Sequence, residues 1–175
     1  MVEVTPLRNV PVRWRAYSLA IKNGRSEPTT TQGALRVVEA VWADHGDEPI
    51  GRLYTEIGTR FIVKGDVSPG AVSDALAAAG LEQSYAAAAA DERWDDEIRG
   101  SMSEAIDLVG TEVGVPILVL RDDDATAAIF GPVVSPTPRG EEALALWDHV
   151  VGLAWAPSFY ELKRSRTGGP ELEVR

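Results

Sequence analysis

At 175 residues, 45% of them apolar, with a mean hydropathy of -0.09, the chain can bury one sizeable core and reads as a globular protein. Its net charge of -10 and pI of about 4.7 argue against a general basic field for nucleic acid or an anionic membrane surface. There is no cysteine, which excludes disulfides, thiolate metal sites and a thiol nucleophile within the chain; with only His45 and His149, a multi-histidine metal site is excluded as well.

No apolar run is long enough to span a bilayer, and the first residues lack the apolar stretch of a secretory signal, so a cytoplasmic location is expected. The charge is uneven. Residues 1–25 carry five basic side chains (Arg8, Arg13, Arg15, Lys22, Arg25) against Glu3, whereas residues 82–112 carry nine acidic and two basic ones. Solvated faces of opposite sign account for this pattern.

Taken in order, Met1–Leu7 reads as the tail of a helix or a frayed end. Val10–Tyr17 alternates, with Val10, Val12, Trp14 and Ala16 on one side and Pro11, Arg13, Arg15 and Tyr17 on the other, which predicts a half-buried strand. Pro11 suits its start or an edge. A loop rich in Asn, Gly, Ser, Pro and Thr runs on to Thr31. Residues 32–45 carry the apolar stripe Ala34, Leu35, Val38, Val41 and Trp42 of a helix that ends at Gly46-Asp47. A second stripe, Ile50, Leu53, Tyr54, Ile57 and Phe61, predicts a helix over 49–62. Ser68-Pro69 supplies a cap and an N1 proline for a third helix, stopped by Gly80. Residues 82–90 are alanine-rich and predict a helix. Asp91–Val109 predicts a longer one, with Gly110 just past its end.

Gly110–Pro132 then reads as loop, strand, turn, strand, loop. Ile117–Leu120 has the continuous apolar character of a strand buried on both faces, Arg121–Asp124 is a polar turn, and Ala125–Phe130 returns antiparallel. Pro116 opens the first strand, where a missing N–H is tolerated, and the Val115-Pro116 step after Gly114 is a candidate cis peptide. A last helix starts near Pro138–Glu142, with Leu144, Leu146, Trp147, Val150, Val151 and Leu153 as its apolar side. The tail Phe159–Arg166 alternates and fades into Thr167–Pro170.

Several stretches carry a closer likeness: SLAI followed by Asn23, LYTEIG at 53–58, AIDLVGTEVGVP at 105–116, FGPVVSPTPRGEEALALWD at 130–148 and FYELKRSRT at 159–167. Together they resemble the actinobacterial DsbA-like oxidoreductases related to mycothiol-dependent nitroreductase, over most of residues 10–167. The resemblance implies an α/β, thioredoxin-like fold with a helical insertion. Residues 1–31 and 110–175 would form the thioredoxin-like part and residues 32–109 the inserted helical domain. It also implies an N-terminally incomplete fold. The family opens with a strand and a Cys-x-x-Cys helix, and neither is present here. Met1–Val4 lines up with the last turn of that helix, so the cysteine is expected roughly two turns, about seven residues or more, before Met1.

The implied chemistry is thiol-disulfide oxidoreduction or thiol-dependent reduction. Mycothiol, a low-molecular-weight thiol, would be the reductant, and a small molecule or a disulfide the substrate. No nucleic acid, membrane or metal takes part, and a homodimer is one oligomeric arrangement. No catalytic residue lies in this chain. By the resemblance, Gly114, Val115 and Pro116 form the cis-proline wall that faces the redox cysteine, its backbone pairing with the substrate.

Trp14 and Trp42, with Tyr54 and Phe61, line a cleft or simply pack in the core. Arg13 and Arg15 bind a carboxylate or are solvated on a strand face. His45 suits a helix end and His149 a helix surface. Asp122–Asp124 suits a turn rather than a metal site. Ser18, Ser101 and Ser135 have no evident histidine partner for nucleophilic catalysis. A non-catalytic thioredoxin-like binding protein and a thiol-dependent isomerase are the alternative functions.

Overall fold

The computed structural model describes Met1, residues 4–25, residues 29–165 and Gly168; the end of the alternating tail at Arg166, and Thr167–Pro170 apart from Gly168, lie outside the described residues. In chain order the elements are α1 (Thr5–Arg8), α2 (Leu19–Lys22), α3 (Thr30–His45) and α4 (Ile50–Gly58), which runs on into a π-helical turn, Thr59–Val63. Then come α5 (Pro69–Ala78), a 3-10 helix (Gln83–Ala90), α6 (Trp94–Val109), β1 (Ile117–Arg121), β2 (Thr126–Phe130) and α7 (Gly140–Ala154). The described residues divide into two compact units, one of those within Met1–Val12 and from Ala105 onward, the other of those within Arg13–Glu104. Residues 13–25 and 29–31 thus cluster with the helices.

The helical unit is built around α3. Its start is fixed by the Thr29 hydroxyl, which accepts the Gln32 N–H at 3.2 Å, and its end by Gly46, whose φ of 68° suits a residue without Cβ. The core gathers Val37, Val41, Ile50, Leu53, Val72, Ala75 and Leu76, all with 3% exposure or less. α3 is buried almost all round, Gln32, Arg36 and Glu39 included, so it is a central helix rather than the one-sided surface helix its stripe predicts. At Gly33 an added Cβ would lie 3.2 Å from the Ala89 Cβ and 3.3 Å from the Ala89 carbonyl oxygen, so the 3-10 helix approaches α3 over a glycine.

Three expectations are corrected here. The helix predicted over 82–90 is present, as a 3-10 helix over Gln83–Ala90, but α6 starts at Trp94 rather than Asp91. The second stripe is not one α-helix, because α4 gives way to the π turn after Gly58. Ile57 and Phe61 nevertheless both pack on the core. Val10–Tyr17 forms no strand: among the described residues its alternation finds no partner backbone to ladder with.

In the other unit β1 and β2 form a two-stranded antiparallel sheet with Leu118 opposite Ile129 and Val119 opposite Ala128. The Asp122 carboxylate accepts the N–H groups of Asp124 (3.1 Å) and Ala125 (2.8 Å), so the acidic triplet is a turn held by its own side chain. β1 is half-buried along Ile117–Leu120, not buried on both faces as its apolar run predicts. A strand is covered on both faces only when layers pack above and below it. Helix α1 is tied to α7 by Arg8, whose Nε and Nη2 donate to Asp148 at 3.1 and 2.6 Å. This ion pair holds the exposed Asp148 carboxyl below its ordinary range. The sequence therefore folds into a mixed α/β protein dominated by helices.

Candidate functional site

Gly114, Val115 and Pro116 form the approach to β1. The Val115-Pro116 peptide is cis, as the sequence suggested, and so are Gly131-Pro132 and Ser135-Pro136. The Gly131 N–H donates to the Pro116 carbonyl at 2.8 Å, which carries the hairpin's pairing one step beyond the Ile117–Phe130 pair and fixes the loop against its neighbour. The Phe130 ring edge would meet a Cβ at Gly114 at 3.9 Å, ordinary contact. Val115 is 39% exposed. Among the described residues its N–H and C=O have no hydrogen-bond partner. An exposed, unpaired peptide at the mouth of a strand can take up an extended segment by backbone hydrogen bonds. Phe130, Val133 and Val134, each more than 40% exposed, extend the apolar surface of the same unit.

The other residues singled out from the sequence lie in the helical unit. Trp14 stacks on Tyr54 with ring centroids 5.0 Å apart and planes 18° from parallel. Gly51 makes room for it, since a Cβ there would sit 3.0 Å from the Trp14 Nε1. On the other side of the same short segment, the Arg13 and Arg15 guanidinium groups lie 5.0 and 5.9 Å from the centroid of Trp42. Trp42 donates its indole N–H to Asp47 at 2.7 Å, and Asp47 also lies 3.6 Å from Arg13. Arg15 donates to the Ser101 hydroxyl at 3.3 Å, and that hydroxyl in turn donates to the Ala16 carbonyl at 2.7 Å. The alternation of 13–16 is real, then, but it is used to lay a chain across helices. Trp14, Trp42 and Phe61 are half-buried against the helical core, and Tyr54 is 54% exposed.

Sequence reasoning missed the strongest polar cluster in this unit. Arg36, its side chain 4% exposed, makes a two-pronged ion pair with Asp95 at 2.7 Å on each arm, and Gln32 donates to the same carboxylate at 2.8 Å. The Arg36 hydrogen bonds hold the Asp95 carboxyl below its usual range. Ser18 caps α2 by accepting the Ile21 N–H and donates to Gln32 at 2.5 Å. Glu39 is buried, and the loss of water pushes its carboxyl up. The available signal was Gln32 and Arg36 one helical turn apart beside an otherwise apolar run. Nothing in the local sequence names Asp95 as their partner. The cluster is structural: the buried Arg36 spends its donors on Asp95 and on the Ala89 carbonyl. Among the described residues no group of three or more His, Cys, Asp or Glu could hold a metal ion, and no helix is long and apolar enough to cross a membrane.

His45 closes α3 and lies 3.0 Å from the Tyr85 hydroxyl, while His149 contacts the Ala145 carbonyl one turn back along α7. Ser18 and Ser101 are committed to the contacts above. None of these side chains supplies a nucleophile with its base.

Comparison with known proteins gives the site its context. The chain is 27% identical over 168 residues to an uncharacterized protein of Mycobacterium tuberculosis, Rv2286c, a match covering 90% of this chain and 70% of that protein. A family model, Rv2466c-like, described as mycothiol-dependent nitroreductase Rv2466c, matches residues 1–164. With the match running from the first residue past α7, the chain belongs to the Rv2466c-like family of mycothiol-dependent nitroreductases.

Proposed function

We propose that the protein serves mycothiol-dependent reduction as a DsbA-like, thioredoxin-fold oxidoreductase of the cytoplasm, and that Gly114–Val115–Pro116 is its substrate wall. In this reading residues 1–31 and 110–175 make up the thioredoxin-like part and residues 32–109 the inserted helical domain. The observation that carries it, once family membership is given, is the open peptide of Val115 at the mouth of β1. A disulfide or thiol-bearing molecule can lie along it and accept from its N–H.

The chain supplies binding and orientation, not the redox group. Its sequence holds no cysteine, so the thiolate comes from outside residues 1–175. Reduction of a disulfide then balances simply. A thiolate attacks one substrate sulfur and expels the other as a thiol, and a second thiol resolves the mixed disulfide. Two thiols become one disulfide, and the substrate gains two electrons and two protons. The absence of a cysteine equally favours a second reading, a non-catalytic protein that binds the thiol through the same wall.

Oxidised mycothiol titrated into the isotope-labelled chain tests the wall. The expected result is saturable shifts of the backbone amides of Gly114, Val115 and Ile117. They are lost in Val115→Pro, which removes the N–H while β1 and β2 keep their signals. Unmoved amides at Gly114, Val115 and Ile117 would sink the assignment. An in-frame cysteine codon at a helix start upstream of codon 1 separates the reductase from the binding protein.

A further inference from the structure

A cleft of about 310 Å³ opens within the helical unit, lined by the last turns of α3, the 3-10 helix and the start of α6. That volume is in the range of small-molecule sites. Ala40 and Ala88 give it an apolar lining, and Tyr85 and Trp94 give it aromatic walls. The Tyr85 hydroxyl donates to one oxygen of Asp44 at 2.7 Å and lies 3.0 Å from the His45 Nε2; the two rings meet edge-on at 5.7 Å. The phenol is thus held from two sides. The second carboxylate oxygen of Asp44 has no hydrogen-bond partner among the described residues.

One cation of the chain itself already shows which chemistry these walls accept. The Arg93 guanidinium lies 5.0 Å over the Trp94 ring, and its Nε meets Asp91 at 2.8 Å. A positive group therefore rests on an aromatic face beside a carboxylate, the arrangement by which organic cations are recognised. Arg93 is 73% exposed and can swing away. The lining carries two carboxylates, Asp44 and Asp91, against the single guanidinium of Arg93, so with Arg93 turned away the local field favours a cation and disfavours an anion.

We propose that this cleft binds a small organic ammonium ion, its charge on the open oxygen of Asp44 and its apolar body against Ala40 and Ala88 between the Tyr85 and Trp94 rings. The site is independent of the thiol chemistry proposed above and involves none of its residues.

Phenethylammonium is a suitable probe, with phenethyl alcohol as its uncharged counterpart. Binding is followed by NMR through the Trp94 indole N–H and the amides of residues 84–88. The ammonium should give saturable shifts at these positions, with the alcohol about tenfold weaker or more, the scale of a charge-assisted hydrogen bond. Asp44→Asn should weaken the ammonium about tenfold as well. Arg93→Gln, which removes the competing internal cation, should bind it at least as tightly as the native chain. Matching one-dimensional spectra of the variants away from the cleft establish that they are folded. Absence of saturable shifts at these residues, equal affinity for the alcohol, or an Asp44→Asn variant that binds as the native chain does, would each overturn the proposal.

Discussion

The two compact units solve the burial problem differently. In the helical unit Val37, Val41, Leu53, Ala75, Leu76 and Ile98 are all fully buried, and the buried Arg36 is paired with Asp95. In the hairpin unit no strand residue is fully buried, and Val115, Phe130, Val133 and Val134 stand open. Stability comes from apolar area removed from water, at about 25 cal/mol per Å². The helical unit therefore holds its shape with its own residues. The hairpin unit keeps apolar surface and an unpaired peptide for something else to meet. The wall proposed for substrate lies in the open unit. A surface that must receive a partner cannot also be closed by its own chain.

The largest effect that tests this contrast is a matched pair of truncations. Leu53→Ala should cost about 2–5 kcal/mol, because it leaves a cavity in a closed core. Leu118→Ala in half-buried β1 should cost about 1 kcal/mol. Urea unfolding followed by far-UV circular dichroism measures both; equal losses would break the comparison.

Next is the buried ion pair. Asp95→Asn should cost about 3 kcal/mol, since the Arg36 guanidinium keeps its burial and loses its counter-charge, whereas Arg36→Met with Asp95→Leu should cost less. The pair also sets a pH response. Asp95 is held below its unfolded value, first by the Arg36 hydrogen bonds, so its contribution is complete above the ordinary carboxylate value of about 3.9 and is lost as pH falls through the depressed folded value. The stability difference between the native chain and Asp95→Asn, read from urea unfolding, should shrink as pH falls below about 4.

The smallest effect has the opposite sign. Burial raises the Glu39 carboxyl, and Arg15 only partly offsets this. The folded state therefore binds the proton more tightly than the unfolded one, and Glu39 costs stability as pH rises from about 4.3 through the raised folded value. Glu39→Gln keeps an acceptor for the Ala16 N–H and should raise Tm at neutral pH by about 2–4 °C. A scanning calorimetry trace showing a lower Tm would mean that its attraction to Arg15 outweighs burial.

Much of this contrast was legible in the sequence where the signal is local. Gly46, Gly80 and Gly110 marked helix ends and have positive φ, and the acidic turn after β1 joins two antiparallel strands as its composition predicted, although Arg121 itself belongs to β1. Non-local partners were the difficulty. Val10–Tyr17 has strand periodicity, but a strand is defined by a second backbone, which eight residues cannot specify. The Ile117–Leu120 run announced burial, but coverage belongs to whatever packs above and below it. Arg36 gave no readable signal of its pairing because its partner Asp95 is 59 residues away. At the candidate site, Pro116 and its loop were visible as a proline after Val115. That the Val115 peptide is left open was not, because hydrogen-bond satisfaction depends on every neighbour at once.

The tryptophans carry a practical consequence. Trp14, Trp42 and Trp94 belong to the helical unit, while Trp147 and Trp155 lie in or just after α7 of the other. Each unit thus has its own optical reporter. Replacing Trp147 and Trp155 leaves a chain whose intrinsic emission reads the helical unit alone, and replacing the other three leaves emission from the hairpin unit. Unfolding followed in the two backgrounds would show whether closed and open units melt together or one after the other.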